Sequence, residues 1–189
     1  MSASPALRWR HTQIWLYGHW LPGDARGFRS RDHRIHSSGD YKHRPPKGEH
    51  ANLHAHAAAL LKAQPITLSQ QQRRLVGELI VRWFDMKKPA LAAVCVGGAH
   101  THLLCQLPRG DEDATVGKVK RYASAQATKR DASIPSRLFA GKGEPKLVKD
   151  WEHLCLAYEY VTVKHAREGA WVWGVGMQTL AQLWEMGGK

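Results

Sequence analysis

A chain of 189 residues with 43% hydrophobic side chains has the length of one domain and enough apolar material for a sizeable core. Lys and Arg (28) outnumber Asp and Glu (16), and the resulting formal charge of +12 favours a polyanionic partner such as nucleic acid. Three features are not expected: a secretory signal, because Met1–Pro5 runs into Arg8 and Arg10; a membrane span, because no run is long and apolar enough; and a disulfide framework or cysteine zinc site, because Cys95, Cys105 and Cys155 are widely spaced without CxxC pairing. The expected setting is a reducing cytoplasm.

The first element is a strand over Thr12–Leu21, where Ile14 and Leu16 alternate with Trp15 and Tyr17. Pro22-Gly23 ends it. Residues 22 to 49 are polar, rich in Gly, Pro, Arg, Asp and His, and without apolar periodicity, so they read as a long excursion. A short Ala-rich helix follows over 50–62. Ser69 and Gln72 then form a capping-box pattern ahead of Leu75, Val76, Leu79, Ile80, Trp83 and Phe84 at helical spacing, and Pro89 closes that helix.

LAAVCV (91–96) reads as a buried strand, Gly97-Gly98 as a turn, and His100–Leu107 as a strand antiparallel to it. A basic helix spans about Thr115–Arg130, a Gly-, Pro- and Lys-rich connection follows, and a further helix runs from Trp151 to about Arg167. The last segment has an aromatic start and a short helical pattern through Leu180, Leu183 and Trp184. This order predicts an α+β fold, a ferredoxin-like or RRM-like sandwich whose antiparallel sheet carries helices mainly on one face. The expected organisation is a single domain over 1–189, with a polar insertion at about 22–62 and a C-terminal extension at about 168–189.

Alternate residues of a strand share a face, so His100 and His102 project side by side. Two neutral imidazoles suit Mn²⁺ or another transition ion, and Mg²⁺ if oxygen ligands complete its shell. In isolation an HxH pair is more often a pair of ordinary strand histidines. Two other chemistries fail on detail: a histidine-triad hydrolase needs a third alternating histidine where Leu104 stands, and two-histidine phosphoesterases need a repeated H-x-S/T motif.

The context of the pair is more specific. An apolar strand, a glycine turn, His100-Thr101-His102 and LLCQLP follow one another, and with YGHWLPGDARGF (Tyr17–Phe28), the capped helix, KRYAS in the basic helix and YEYV in the closing helix they fall in one order. In these features the chain resembles the single-tyrosine HUH transposases, including the REP-associated tyrosine transposases, over roughly Thr12–Arg167. The resemblance implies a single-stranded DNA endonuclease and strand transferase. It would bind hairpin DNA, cleave through a 5′-phosphotyrosine intermediate and rejoin ends, using Mg²⁺ or Mn²⁺ held by His100 and His102. Members include monomers and dimers, so a homodimer is one expected arrangement. The alternative is a domesticated or inactive relative that binds structured single-stranded nucleic acid without cutting it. An unrelated metal-binding or interaction module remains a third class.

Tyr122, Tyr158 and Tyr160 are the candidate nucleophiles. Helical spacing places Tyr158 on a stripe with Trp151, Leu154, Cys155 and Val161, and rotates Tyr160 about 200° from it. The resemblance puts Tyr160 at the nucleophile position, the Y of Y-V/I-x-x-Q. The glutamine four residues on, which completes the metal site in the family, is Lys164 here; an ammonium cannot ligate but can hold a phosphate. His165, or His19 on the first strand, is the candidate third ligand. Arg26, Arg29, Lys118, Lys120, Arg121 and Lys164 are the candidate nucleic-acid contacts, with Trp15, Tyr17 and Trp20 as possible base-stacking aromatics. His50, His54 and His56 contain an i, i+4 pair but lack an acidic partner and read as surface residues.

Overall fold

The computed structural model describes residues 6–26, 38, 46, 48–141 and 143–187. Two compact units emerge. One comprises Met1–Tyr17 with Thr67–Lys189, the other Gly18–Ile66. Arg29, together with the basic residues Arg31, Arg34, Lys42 and Arg44, lies outside the described residues.

The larger unit is built on β1 (Leu7–Trp15), α2 (Gln70–Lys87), β2 (Leu91–Val96), β3 (His100–Pro108), α3 (Glu112–Arg130) and β4 (Glu144–Leu147), while α1 (Ala51–Ala59) belongs to the other unit. It continues through α4 (Trp151–Glu159), a π-helical turn (Tyr160–Lys164), α5 (His165–Arg167), β5 (Trp171–Gly174) and α6 (Met177–Gly187). The strands form one sheet in the order β4-β1-β3-β2-β5, and every neighbouring pair is antiparallel. Because β1 and β2 both run antiparallel to β3 between them, the first six elements make the split βαββαβ arrangement expected of the ferredoxin-like class. β5 extends it at the β2 edge.

Each face of the sheet has its own cover. The face carrying Thr12, Ile14, Thr101 and Leu103 meets α2 and α3, and Arg10 on that face reaches Glu112 at the start of α3 at 2.5 Å. The opposite face carries Trp9, Leu104 and Cys95, which form a core with Leu154, Ala157, Val161 and Leu180 from the C-terminal segments. Leu103, Leu104, Ile14 and Leu154 are wholly buried, and each such side chain contributes about 1.5–3 kcal/mol. Thus α2 and α3 supply the helical layer, and the segment after Asp150 covers much of the face that a bare sandwich leaves open.

Local chemistry accounts for the helix starts. The Ser69 hydroxyl accepts the Gln72 backbone N–H, and the Gln72 side chain accepts the Ser69 N–H, completing the expected capping box. The Asp150 carboxylate accepts the His153 N–H at 2.7 Å to start α4.

Several boundaries differ from expectation. The first strand begins at Leu7 and ends at Trp15; Leu16 makes one bridge to Phe139, and Tyr17-Gly18 turns the chain with Gly18 at φ +81°. The arginines and His11 broke the apolar alternation that would have revealed Leu7–His11 as strand. β4 and β5 are four-residue edge strands too short for period-two patterning, so the sequence read them as connection and tail. The helix over 151–167 is three pieces, and its buried side chains are Leu154, Ala157, Val161 and His165. Tyr158 is half-buried, its hydroxyl donating to the Val175 carbonyl.

One close approach fixes β5 against α2. A Cβ placed on Gly77, in the middle of α2, would overlap the ring of Trp171. We therefore expect Gly77→Ala to destabilise the chain by about 1–3 kcal/mol through overpacking, reversing the usual preference of helices for Ala over Gly. Urea unfolding tests this; an unchanged or higher midpoint would contradict it.

Candidate metal centre

β3 enters the sheet at His100, and the strand's alternation puts His100 and His102 on the face covered by the C-terminal segments. Their ring centroids lie 5.0 Å apart. His102 is 3% exposed and His165 4%, so both are removed from water. The His165 ring stacks on His102 at 4.5 Å and meets His100 edge-on at 5.3 Å. One ligand atom from each of His100, His102 and His165 lies within 4.8 Å of the other two, and these three could hold a metal ion.

The reason His165 arrives here is local. On an α-helix, five residues turn the chain about 140° beyond a full revolution, which would carry His165 away from Tyr160. The π-helical turn over Tyr160–Lys164 accommodates one more residue per turn and returns His165 to the Tyr160 side. Their centroids are 4.8 Å apart. Val161, Thr162 and Val163 are β-branched and disfavour a regular helix, and the Thr162 hydroxyl donates to the Tyr158 carbonyl at 2.7 Å, competing with the backbone ladder at the point where it loosens.

The donor chemistry fits a cation. The His165 Nδ1–H donates to the Glu168 carboxylate at 2.9 Å, and His102 Nδ1 lies 3.0 Å from His11 Nε2. With both Nδ1 atoms engaged, His102 Nε2 and His165 Nε2 remain buried without a hydrogen-bond partner. Two orphaned buried ring nitrogens would each be costly unless they served as ligands. Burial is the main cause that pushes His102 down to about 2, reinforced by His11, His165, His100 and Lys146. The same cause, with Lys146, His153 and His165, pushes His11 down to about 4. His165 is lowered by burial against the opposing pull of Glu168. All three are held neutral, the ligating form.

Tyr160 closes the site. Its ring is edge-on to His102 at 5.5 Å and to His11 at 5.8 Å, and the Lys164 ammonium sits 4.9 Å from its centroid. Burial, Glu168 and Cys95 raise its phenol above the ordinary range, so it stays protonated. Tyr158, directed to Val175, is not part of this group. Tyr122 is half-buried on α3. His19, the alternative third ligand, bonds the Ile66 carbonyl through Nε2 at 2.8 Å, and the histidines of α1 join no three-residue ligand group among the described residues.

The basic candidates divide. Arg26 is clamped to Asp24 through 2.5, 2.8 and 2.9 Å bonds and lies over Trp20, an arrangement that shapes its own loop. Lys120 donates to the carbonyls of Ala140 and Gly141, holding the chain before β4. Lys118, which reaches Asp111 at 3.6 Å, and Arg121 are exposed on α3. Among the aromatics, Tyr17 is buried and Trp20 is 40% exposed. Sequence reasoning missed His11 because the predicted strand began one residue after it, and missed Glu168 because no pattern marks a carboxylate three residues past a histidine.

No family model matches the chain, and no curated protein matches its sequence. Among solved structures it is similar to that of a REP-associated tyrosine transposase bound to a REP hairpin, at 12% identity over 89% of this chain and 73% of that chain, with a TM-score of 0.47.

The buried neutral histidines make stability pH-dependent. Their folded values lie below the ordinary value of 6.5, so the unfolded chain binds more protons as pH falls below 6.5. In chelator-treated protein, stability should therefore fall on acidification from pH 6.5 towards 4, by about 1.4 kcal/mol per pH unit for each histidine, His11 levelling off near 4 and His102 near 2. Urea titrations between pH 4.5 and 7.5 measure the slope; a flat profile would contradict the neutral cluster.

Proposed function

We propose that this chain is a metal-dependent, single-tyrosine nuclease and strand transferase acting on single-stranded hairpin DNA. The observation that carries the reading is the convergence of Tyr160 with His100, His102 and His165, two of which present unpartnered buried nitrogens. The sequence resemblance to single-tyrosine HUH transposases and the formal charge of +12 support the same choice of substrate.

In this reading Tyr160 Oη attacks the phosphorus of a DNA phosphodiester, the P–O3′ bond breaks, and the 5′ phosphate remains on the tyrosine. The phenol proton leaves to solvent and the departing O3′ takes one up. A later attack by a DNA 3′-hydroxyl on the same phosphorus reverses the step and joins new ends. Lys164, beside the Tyr160 ring, supplies a positive charge to the phosphate. Glu168 holds the His165 ring with its Nε2 towards the site. A bound divalent ion on His100, His102 and His165 would polarise the phosphate, and an all-imidazole set favours Mn²⁺ over Mg²⁺. Lys118 and Arg121 offer exposed charge for the DNA backbone.

The test is a denaturing gel of protein incubated with a labelled single-stranded hairpin oligonucleotide and Mn²⁺. The expected covalent adduct should fall by at least roughly 10³-fold in Tyr160→Phe and persist in Tyr158→Phe. An adduct surviving Tyr160→Phe would overturn the assignment. Binding without any adduct would point instead to a relative that holds structured single strands without cutting them.

Metal binding has its own readout. Mn²⁺ at a hundred times its dissociation constant should stabilise the chain by about 2.7 kcal/mol, and His102→Ala should remove that gain. A stabilisation of equal size in His102→Ala would place the ion elsewhere.

A further inference from the structure

The imidazole of His11 is used by none of the roles assigned so far, yet it lies inside the site. It sits on β1 with Trp9 and Gln13, on the face that β1 turns towards the C-terminal segments. Its ring meets that of His102 edge to edge, with centroids 5.1 Å apart and planes 28° apart, and its Nε2 is 3.0 Å from His102 Nδ1. The β1–β3 pairing sets Gln13 opposite His102, so His11 is the diagonal neighbour on the same face.

A neutral imidazole carries one proton, and this contact decides where it resides. Were His11 Nε2 the donor, His102 would carry its proton on Nε2, leaving a buried N–H with no acceptor. Buried N–H groups without acceptors are rarer in proteins than buried lone pairs without donors. Were His102 Nδ1 the donor, its buried Nε2 would carry a free lone pair, as a ligand must. His165 has the matching arrangement, with Glu168 accepting its Nδ1–H. The two buried ligand rings are thus each backed by an acceptor on the far side from the site, one a carboxylate and the other an imidazole.

We propose that His11 is a positioning residue, accepting the Nδ1 proton of His102 and so holding the His102 Nε2 lone pair towards the metal. The inference rests on the metal reading of the His100, His102 and His165 cluster, and it adds a residue that neither ligates nor reacts.

Two variants separate hydrogen bonding from packing. His11→Phe keeps a planar ring and removes the acceptor; His11→Gln places an amide oxygen near the former Nε2. In metal-free protein labelled with ¹⁵N histidine, long-range ring correlations report the proton's position, the His102 signals being those lost in His102→Ala. The wild type and His11→Gln should show a protonated Nδ1 on His102, and His11→Phe a majority of protonated Nε2. Mn²⁺ titrated into the same proteins should bind roughly 10–100-fold more weakly to His11→Phe, and within about threefold of wild type to His11→Gln.

A His102 that carries its proton on Nε2 in the wild type would overturn the proposal. So would a His11→Phe protein with unchanged tautomer and Mn²⁺ affinity, or equal weakening in both variants, which would reduce His11 to packing. Thermal unfolding of each variant establishes that it is folded. If the wild type binds no Mn²⁺, the metal reading itself fails and takes this inference with it; if the wild type binds and His11→Phe binds equally well, the inference fails alone.

Discussion

The site depends on one extra residue in a helix. An uninterrupted α-helix after Trp151 would present Lys164 one turn beyond Tyr160 and direct His165 elsewhere. The π-helical turn between them brings both round, so the ring of Tyr160 has an imidazole on one side and an ammonium near its face. Such turns are less stable than regular helix and persist where surrounding contacts compensate. Here Val161 is wholly buried between the sheet and the rest of the C-terminal segment, and the Thr162 hydroxyl adds a hydrogen bond to the Tyr158 carbonyl beside the turn.

The second constraint is dryness. A bare split-βαβ sheet exposes one face, where histidines would titrate and hydrogen-bond to water. In this chain α4, the π-helical turn and α6 lie over that face, joined by Trp9, Leu104 and Leu180 in one apolar cluster. Burial keeps His11, His102 and His165 neutral and makes unpaired ring nitrogens costly. The same apolar packing that stabilises the fold therefore prepares the rings for a cation.

Positive charge is used in two ways that composition cannot separate. Arg26 and Lys120 are committed to internal acceptors, the Asp24 carboxylate and the carbonyls of Ala140 and Gly141, and shape the chain near them. Arg10 likewise anchors the start of α3 through Glu112. Lys118 and Arg121 are exposed on α3, and the Lys164 ammonium lies 4.9 Å from the centroid of the Tyr160 ring. The net charge thus overstates the surface available to a polyanion.

The sequence by itself determined what depends on local periodicity and capping: α2 with its Ser69–Gln72 box, the buried β2, the glycine turn, and the shared face of His100 and His102. It also determined the α+β class, because the order of those elements leaves few ways to pair the strands. Tertiary structure decided the rest. The four-residue β4 and β5 form only because longer neighbours offer them edges, and Leu7–His11 extends because β3 lies alongside. His165, Glu168 and His11 come from segments far apart in the chain or from a helix off its regular period, so no spacing rule joins them. Which side chains meet is a property of distances in space, and here those distances arise from strand pairing and one irregular turn.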